Sequence, residues 1–262
     1  MKKLLLLLYL VGFGTAQSQT FSDLMNHPLS KLQFQAERAV SQGELQQAID
    51  IYTTIVQSAD TTDKFEALQH LHALTTRSDL YYRLSNYEMS LQDINAVIIL
   101  DPSDLRSYMS RGETLMKMGD FANAALDFRT ILEKDNKSYQ ASGAYYYLAL
   151  IYIEENNLTT SLEYLSLALD MIPEDQEILY TRAYVYSTMM EFEKSIKDYD
   201  KLLTLDKNYA GYYANRGTAR INLYLNNGNG ENRLRKTACK DLKKAEKMGF
   251  KNLDDLLFLY CR

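Results

Sequence analysis

The chain has 262 residues, of which 46% are hydrophobic and 24% charged. That balance suits a globular or solenoid protein and excludes a disordered one, and a content of three prolines suits a mostly helical chain. The formal net charge of −5, near −7 once Lys2 and Lys3 are set aside, argues against nonspecific nucleic-acid binding as the main task.

Residues 1–16 have the pattern of a secretory signal peptide. Lys2 and Lys3 precede an apolar run from Leu4 to Val11, and Gly14, Thr15 and Ala16 offer a small-residue cleavage site. The run is too short for a membrane span. It ends without a nearby cysteine, so no lipid anchor is expected. The expectation is a mature chain from Gln17, periplasmic or secreted, with no membrane span after signal cleavage. Residues 17–28 form a polar lead-in.

From residue 29 to 248 one pattern recurs. A turn marker stands at Leu45, Tyr87, Phe121, Leu158 and Phe192, in steps of 42, 34, 37 and 34 residues. Nine residues before each marker is a small residue: Ala36, Ser78, Gly112, Ala149 and Ala183. Three residues after each is another: Ala48, Ser90, Ala124, Ser161 and Ser195. A bulkier apolar residue follows four further on, at Tyr52, Ile94, Phe128, Leu165 and Tyr199. A sixth copy opens at Tyr213, Arg216 and Gly217 and resumes nine residues late at Ala238, Leu242 and Ala245. Small residues let two helices approach closely, and the larger ones fill the space between them. The surplus of the first step falls on Ser58 to Phe65, a longer loop or an extra helical turn. The surplus of the sixth copy falls on Asn226 to Asn232, NNGNGEN, whose Gly and Asn suit a surface loop. Residues 249–262 form a cap and tail. Gly249 ends the last repeat helix, and Asn252 is placed to cap a final helix from Leu253 to Tyr260. Leu253, Leu256, Leu257 and Tyr260 would share its apolar face.

This grammar resembles the tetratricopeptide repeat (TPR), a 34-residue helix-turn-helix unit. The resemblance covers about Leu29 to Lys247, without Trp and with several aromatics replaced by Leu. It implies an all-α solenoid of about six TPR units closed by a C-terminal capping helix, since one unit has too little core to stand alone.

Arg77, Arg111, Arg182 and Arg216 each stand just before the small residue of a first helix. Asp93, Asp127 and Asp198 follow sixteen residues later, and Asp241 follows Arg216 by sixteen plus the nine inserted. Repeat four has Leu148 and Tyr164 at these places, and repeat one has Gln35 and Ile51. Arginine and aspartate therefore occur together or not at all, which predicts structural ion pairs between the two helices of a repeat or of neighbouring repeats. A ligand site built on these arginines is the less economical reading, because each carries its own counter-ion.

Cys239 and Cys261 lie symmetrically about residue 250, so an antiparallel hairpin brings them to one level. In an oxidising compartment that predicts a disulfide; two buried thiols, or an exposed Cys261, are the alternatives. A similar cysteine pair around the last unit is associated with exported TPR proteins of the Bacteroidetes type.

No chemistry-bearing motif is present. His27 is in the lead-in, and His70 and His72 point to different helix faces, so no metal or cofactor is expected. No nucleophile elbow, phosphate loop or metalloprotease motif occurs, so no enzyme is expected. The resemblance implies instead that the first helices line a concave, partner-binding groove. In this register the groove residues are Thr75, Asp79, Tyr82, Met109, Glu113, Met116, Tyr146, Leu150, Ile153, Tyr180, Tyr184 and Ser187. The lysine and asparagine of a carboxylate clamp are not among them. The alternatives are a glycan- or peptidoglycan-binding module using the groove tyrosines, or the regulatory arm of an enzyme. Arg233 to Lys247, with seven basic and two acidic residues, reads as the wet face of a helix, with a surface for an anionic partner as the alternative.

Overall fold

A computed structural model describes residues 21–228 and 232–262. The segment read as a signal peptide and part of the loop at Asn226 to Asn232 therefore lie outside the described residues. Those described form fourteen α-helices and no strand. They divide into two compact lobes, one ending at Pro102 and one running from Ser103 to Arg262.

The first lobe contains α1 (Phe21–Asn26), α2 (Pro28–Gln42), α3 (Leu45–Ser58), α4 (Lys64–Arg83) and α5 (Tyr87–Leu100). The lead-in is thus not wholly irregular: α1 is a six-residue helix. Alone it would be too short to persist, but Ser30 Oγ donates to the Leu24 carbonyl at 2.6 Å. His27 caps the next helix, its Nδ1 accepting from the Leu29 amide at 3.3 Å. The surplus at Ser58 to Phe65 takes both expected forms. Residues 59–63 are a connection capped by Asp63, and α4 is lengthened to 20 residues. Ala36, Ala48, Tyr52, Ile55 and Ala73 are buried in one core.

The second lobe contains α6 (Leu105–Lys117), α7 (Phe121–Lys134), α8 (Tyr139–Glu154), α9 (Leu158–Met171), α10 (Gln176–Thr188), α11 (Phe192–Leu205), α12 (Ala210–Asn226), α13 (Asn232–Lys247) and α14 (Asp254–Tyr260). Its largest core runs from Ala149 and Leu165 through Ala183 and Tyr199 to Leu242 and Leu253.

The repeat grammar sets the packing in both lobes. All the small residues at the two recurrent positions are buried, and so are Tyr52, Ile94, Phe128, Leu165, Tyr199 and Leu242. Gly217 shows why one position stays small: a β-carbon there would lie 2.9 Å from Leu242 Cγ. The turn inside each repeat places the residue two before the marker at positive φ. It is Gly43 at 80°, Ser85 at 60°, Gly119 at 81°, Asn156 at 56° and Met190 at 61°. Asn86, Asp120 and Asn157 then cap the second helix by accepting from the amide three residues on.

The last helix departs from expectation in detail. Asn252 has φ of 64°, and Leu253 is the N-cap residue with no side-chain cap bond. The helix starts at Asp254, one residue later than read from the sequence. A left-handed Asn252 completes the turn that Gly249 begins, which removes it from the capping position. Leu253 is buried, and Leu256, Leu257 and Tyr260 pack on the core. Cys239 and Cys261 form a disulfide with Cα atoms 5.3 Å apart. It ties this helix to α13, so neither sulfur is a free thiol.

Candidate functional site

Four arginines face four buried aspartates, each inside its own repeat. Arg77 Nε and Nη2 donate to Asp93 at 2.8 and 2.7 Å. Arg111 meets Asp127 at 2.8 and 2.6 Å, Arg182 meets Asp198 at 2.8 Å twice, and Arg216 meets Asp241 at 2.8 and 2.7 Å. Hydrogen bonding to the carboxylate raises the pKa of Arg77, Arg111 and Arg182 against the opposing pull of desolvation. For Arg216 desolvation is the largest influence and lowers it, but the bonds to Asp241 and Asp200 prevail. Desolvation wins at Arg220, lowering its pKa although Nη1 also donates to Asp241 at 2.6 Å.

A third arm was not anticipated. Nη1 of Arg77 donates to Thr53, that of Arg182 to Ser166 and that of Arg216 to Asp200, at 2.9, 3.4 and 2.6 Å. Each acceptor stands eight residues past the turn marker of the preceding repeat, so these arginines also join adjacent repeats. The signal was present: that position holds Arg129 just before repeat four, the repeat with Leu148 in place of arginine. In Arg77, Arg182 and Arg216 every guanidinium nitrogen therefore has a partner among the protein's own groups.

None of the twelve groove residues is buried. In the first lobe, Thr75 and Asp79 on α4 are exposed and Tyr82 is half-buried, its ring 5.6 Å from that of Tyr87. In the second lobe, Met109, Glu113 and Met116 on α6 are half-buried, as are Leu150 and Ile153 on α8. Tyr146, Ile153 and Tyr180 rest partly against the core. Tyr180 accepts from Asn215 Nδ2 at 2.9 Å, and Ser187 shares a 2.7 Å hydrogen bond with Ser195. Tyr184 is 55% exposed.

Three of these residues, Met109, Glu113 and Tyr146, meet in a cleft of ≈460 Å³ within the second lobe. It is lined from α6 by Arg106 and Ser110, from α8 by Tyr139, Gln140, Ser142, Gly143 and Tyr147, and beyond by Ile172, Asp175, Glu177 and Ile178. Gly143 shapes the wall, since a β-carbon there would stand 3.0 Å from Met109 Cε. Tyr146 Oη donates to Glu177 Oε1 at 3.0 Å. Burial pushes the Tyr146 hydroxyl up to about 12 and raises the Glu113 carboxyl, which a hydrogen bond with Tyr147 partly offsets. Sequence reasoning missed Arg106, Gly143 and Glu177. They lie one helical turn before Met109, Tyr146 and Tyr180, so carrying the stripe three residues back would have found them.

Family models described as tetratricopeptide repeat match residues 75–138, 109–176 and 176–209. The chain belongs to the tetratricopeptide repeat family. A TPR protein of known structure from Parabacteroides merdae is 24% identical, with a TM-score of 0.58 over 92% of this chain and 89% of that one. That likeness shows a shared fold. YrrB, described as a TPR protein with an unusual peptide-binding site, is 17% identical, with a TM-score of 0.53 over 68% of this chain and 85% of that one. The BBSome complex member BBS4 of Bos taurus is 21% identical over 81% of this chain. The chain spans about half, 47%, of the length of that curated relative. TPR folds serve in general as protein-interaction scaffolds rather than catalysts. Among the described residues, no group of three or more side chains could hold a metal, and no helix is long and apolar enough to cross a membrane.

Proposed function

We propose that this TPR scaffold is exported and binds protein or peptide partners in the bacterial cell envelope through the exposed face of its first helices. The observation that carries the reading is the cleft on that face of the second lobe. Its volume suits a peptide side chain, and tyrosines and a methionine, both adaptable contact residues, line it. YrrB, of similar fold, is described as having a peptide-binding site, which supports the same use here. Export is supported by the composition of residues 1–16 and by the Cys239–Cys261 disulfide, which suits an oxidising compartment. The acidic net charge disfavours nucleic acid as the partner.

The second reading, a glycan- or peptidoglycan-binding module, draws on Tyr139 and Tyr184, residues 79% and 55% exposed, whose rings suit stacking on sugars. Affinity capture from periplasmic extract, repeated with Tyr180 and Tyr184 changed to Ala, tests the protein reading. Loss of a captured protein supports it. Unchanged capture, or a tyrosine fluorescence change with muropeptides alone, overturns it.

A further inference from the structure

We infer that the cleft of the second lobe receives a cationic side chain, lysine or arginine, from an extended peptide partner. The inference rests on the peptide-binding reading above and specifies its chemistry.

Besides Asp175, which lines the cleft while capping α10, two further carboxylates reach it from the helices on either side of α8: Glu113 on α6 and Glu177 on α10. Each is hydrogen-bonded by a tyrosine hydroxyl, Glu113 by Tyr147 and Glu177 by Tyr146. A hydroxyl donor fixes a carboxylate in place but brings no charge of its own; the cation acting on Glu113 is Lys117, exposed one turn further along α6, whose attraction is weaker than the effect of burial. Burial already disfavours the charged form of Glu113, and an arriving cation would relieve that cost. Arg106, the one cation among the described lining residues, is bonded to Asp104 at 2.8 Å. Tyr139 and Tyr146 supply aromatic faces for the alkyl stem and the charged head of the guest.

The chain makes the same pairing with its own cations elsewhere. Lys134 Nζ lies 4.7 Å from the Tyr108 ring centre, and Lys244 Nζ lies 4.5 Å from that of Tyr213. The cleft offers tyrosine and carboxylate together, open to solvent. An acidic guest would be repelled, and a purely apolar one would leave two carboxylates desolvated without compensation.

The test is a positional-scanning library of acetylated, amidated, fluorescein-labelled octapeptides, read by fluorescence anisotropy on the full oxidised chain. Lysine or arginine should be selected at one position. Replacing it by norleucine in the best binder should weaken binding about tenfold, the size of one compensated charge. The Glu113→Gln and Glu177→Gln double variant, checked by its melting curve, should lose that distinction. The norleucine comparison leaves the protein unaltered, so it decides the matter even if the double variant fails to fold. Binding with no preference for a basic residue overturns this inference and leaves the peptide reading standing. No binding by any library member, or binding of muropeptides only, overturns both.

Discussion

Gly112 on α6 and the Phe128 ring on α7 are in such close contact that a β-carbon on residue 112 would lie 2.6 Å from Cε1 of the ring. Phe128 is fully buried, so it has no room to withdraw. Gly112→Ala should therefore cost about 1–3 kcal/mol through overpacking, despite the better helix propensity of alanine. A urea denaturation curve checks this. A gain in stability would mean that the two helices of repeat three are not held at this distance.

Arg111→Ala should destabilise by roughly 3 kcal/mol, because Asp127 would be left buried and unpaired. Arg111→Lys should cost less but not nothing, since an ammonium cannot reproduce the two-pronged contact. Repeat four runs the same position with Leu148 and Tyr164. Arg111→Leu combined with Asp127→Tyr should accordingly recover most of the loss. Melting curves of the three variants test the set, and an unaltered curve for Arg111→Ala contradicts the pairing.

Met190 has φ of 61° at a turn where repeats one and three have glycine. The residue is 71% exposed and contributes little packing. Met190→Gly should stabilise by up to about 1 kcal/mol, the left-handed penalty outweighing the extra entropy of glycine. Gly119→Ala should lose a similar amount by the same reasoning. Thermal melts of both variants should move in opposite directions.

The disulfide closes a loop with a sequence separation of 22 and holds α14 over the end of the core. Cys261→Ser should lower stability by roughly 3 kcal/mol on the loop-entropy account. Hydrogen exchange should show the loss first in α14, whose seven residues include the exposed Phe258 and Leu259. Uniform deprotection of the second lobe would assign the bond a different role.

The repeat was legible because each copy obeys the same spacing of small and large residues, and burial follows that spacing. The arginine and aspartate positions were legible for a related reason. They occur together or not at all, as partners across a fixed interface must. Other features left weaker traces. The left-handed turn position is marked by glycine in only two of five copies, because Ser85, Asn156 and Met190 accept the strain. The short helix Phe21–Asn26 carries no periodic signal of its own and depends on contact with its neighbour. The cleft extends one turn earlier along the first helices than the groove register read from the sequence. There the residue types vary from Arg106 to Gly143 to Glu177, so no single side-chain class announces the position.

The account turns on which face of the second lobe meets the partner, and site-specific photocrosslinking in the living cell tests this most directly. A photoreactive residue would replace Tyr139 or Tyr184 on first helices, with Leu126 or Leu167 on second helices, 57% and 44% exposed, as controls. The account predicts a discrete protein adduct from the first-helix positions and none from the controls. Adducts of equal or greater yield from Leu126 and Leu167 would contradict it.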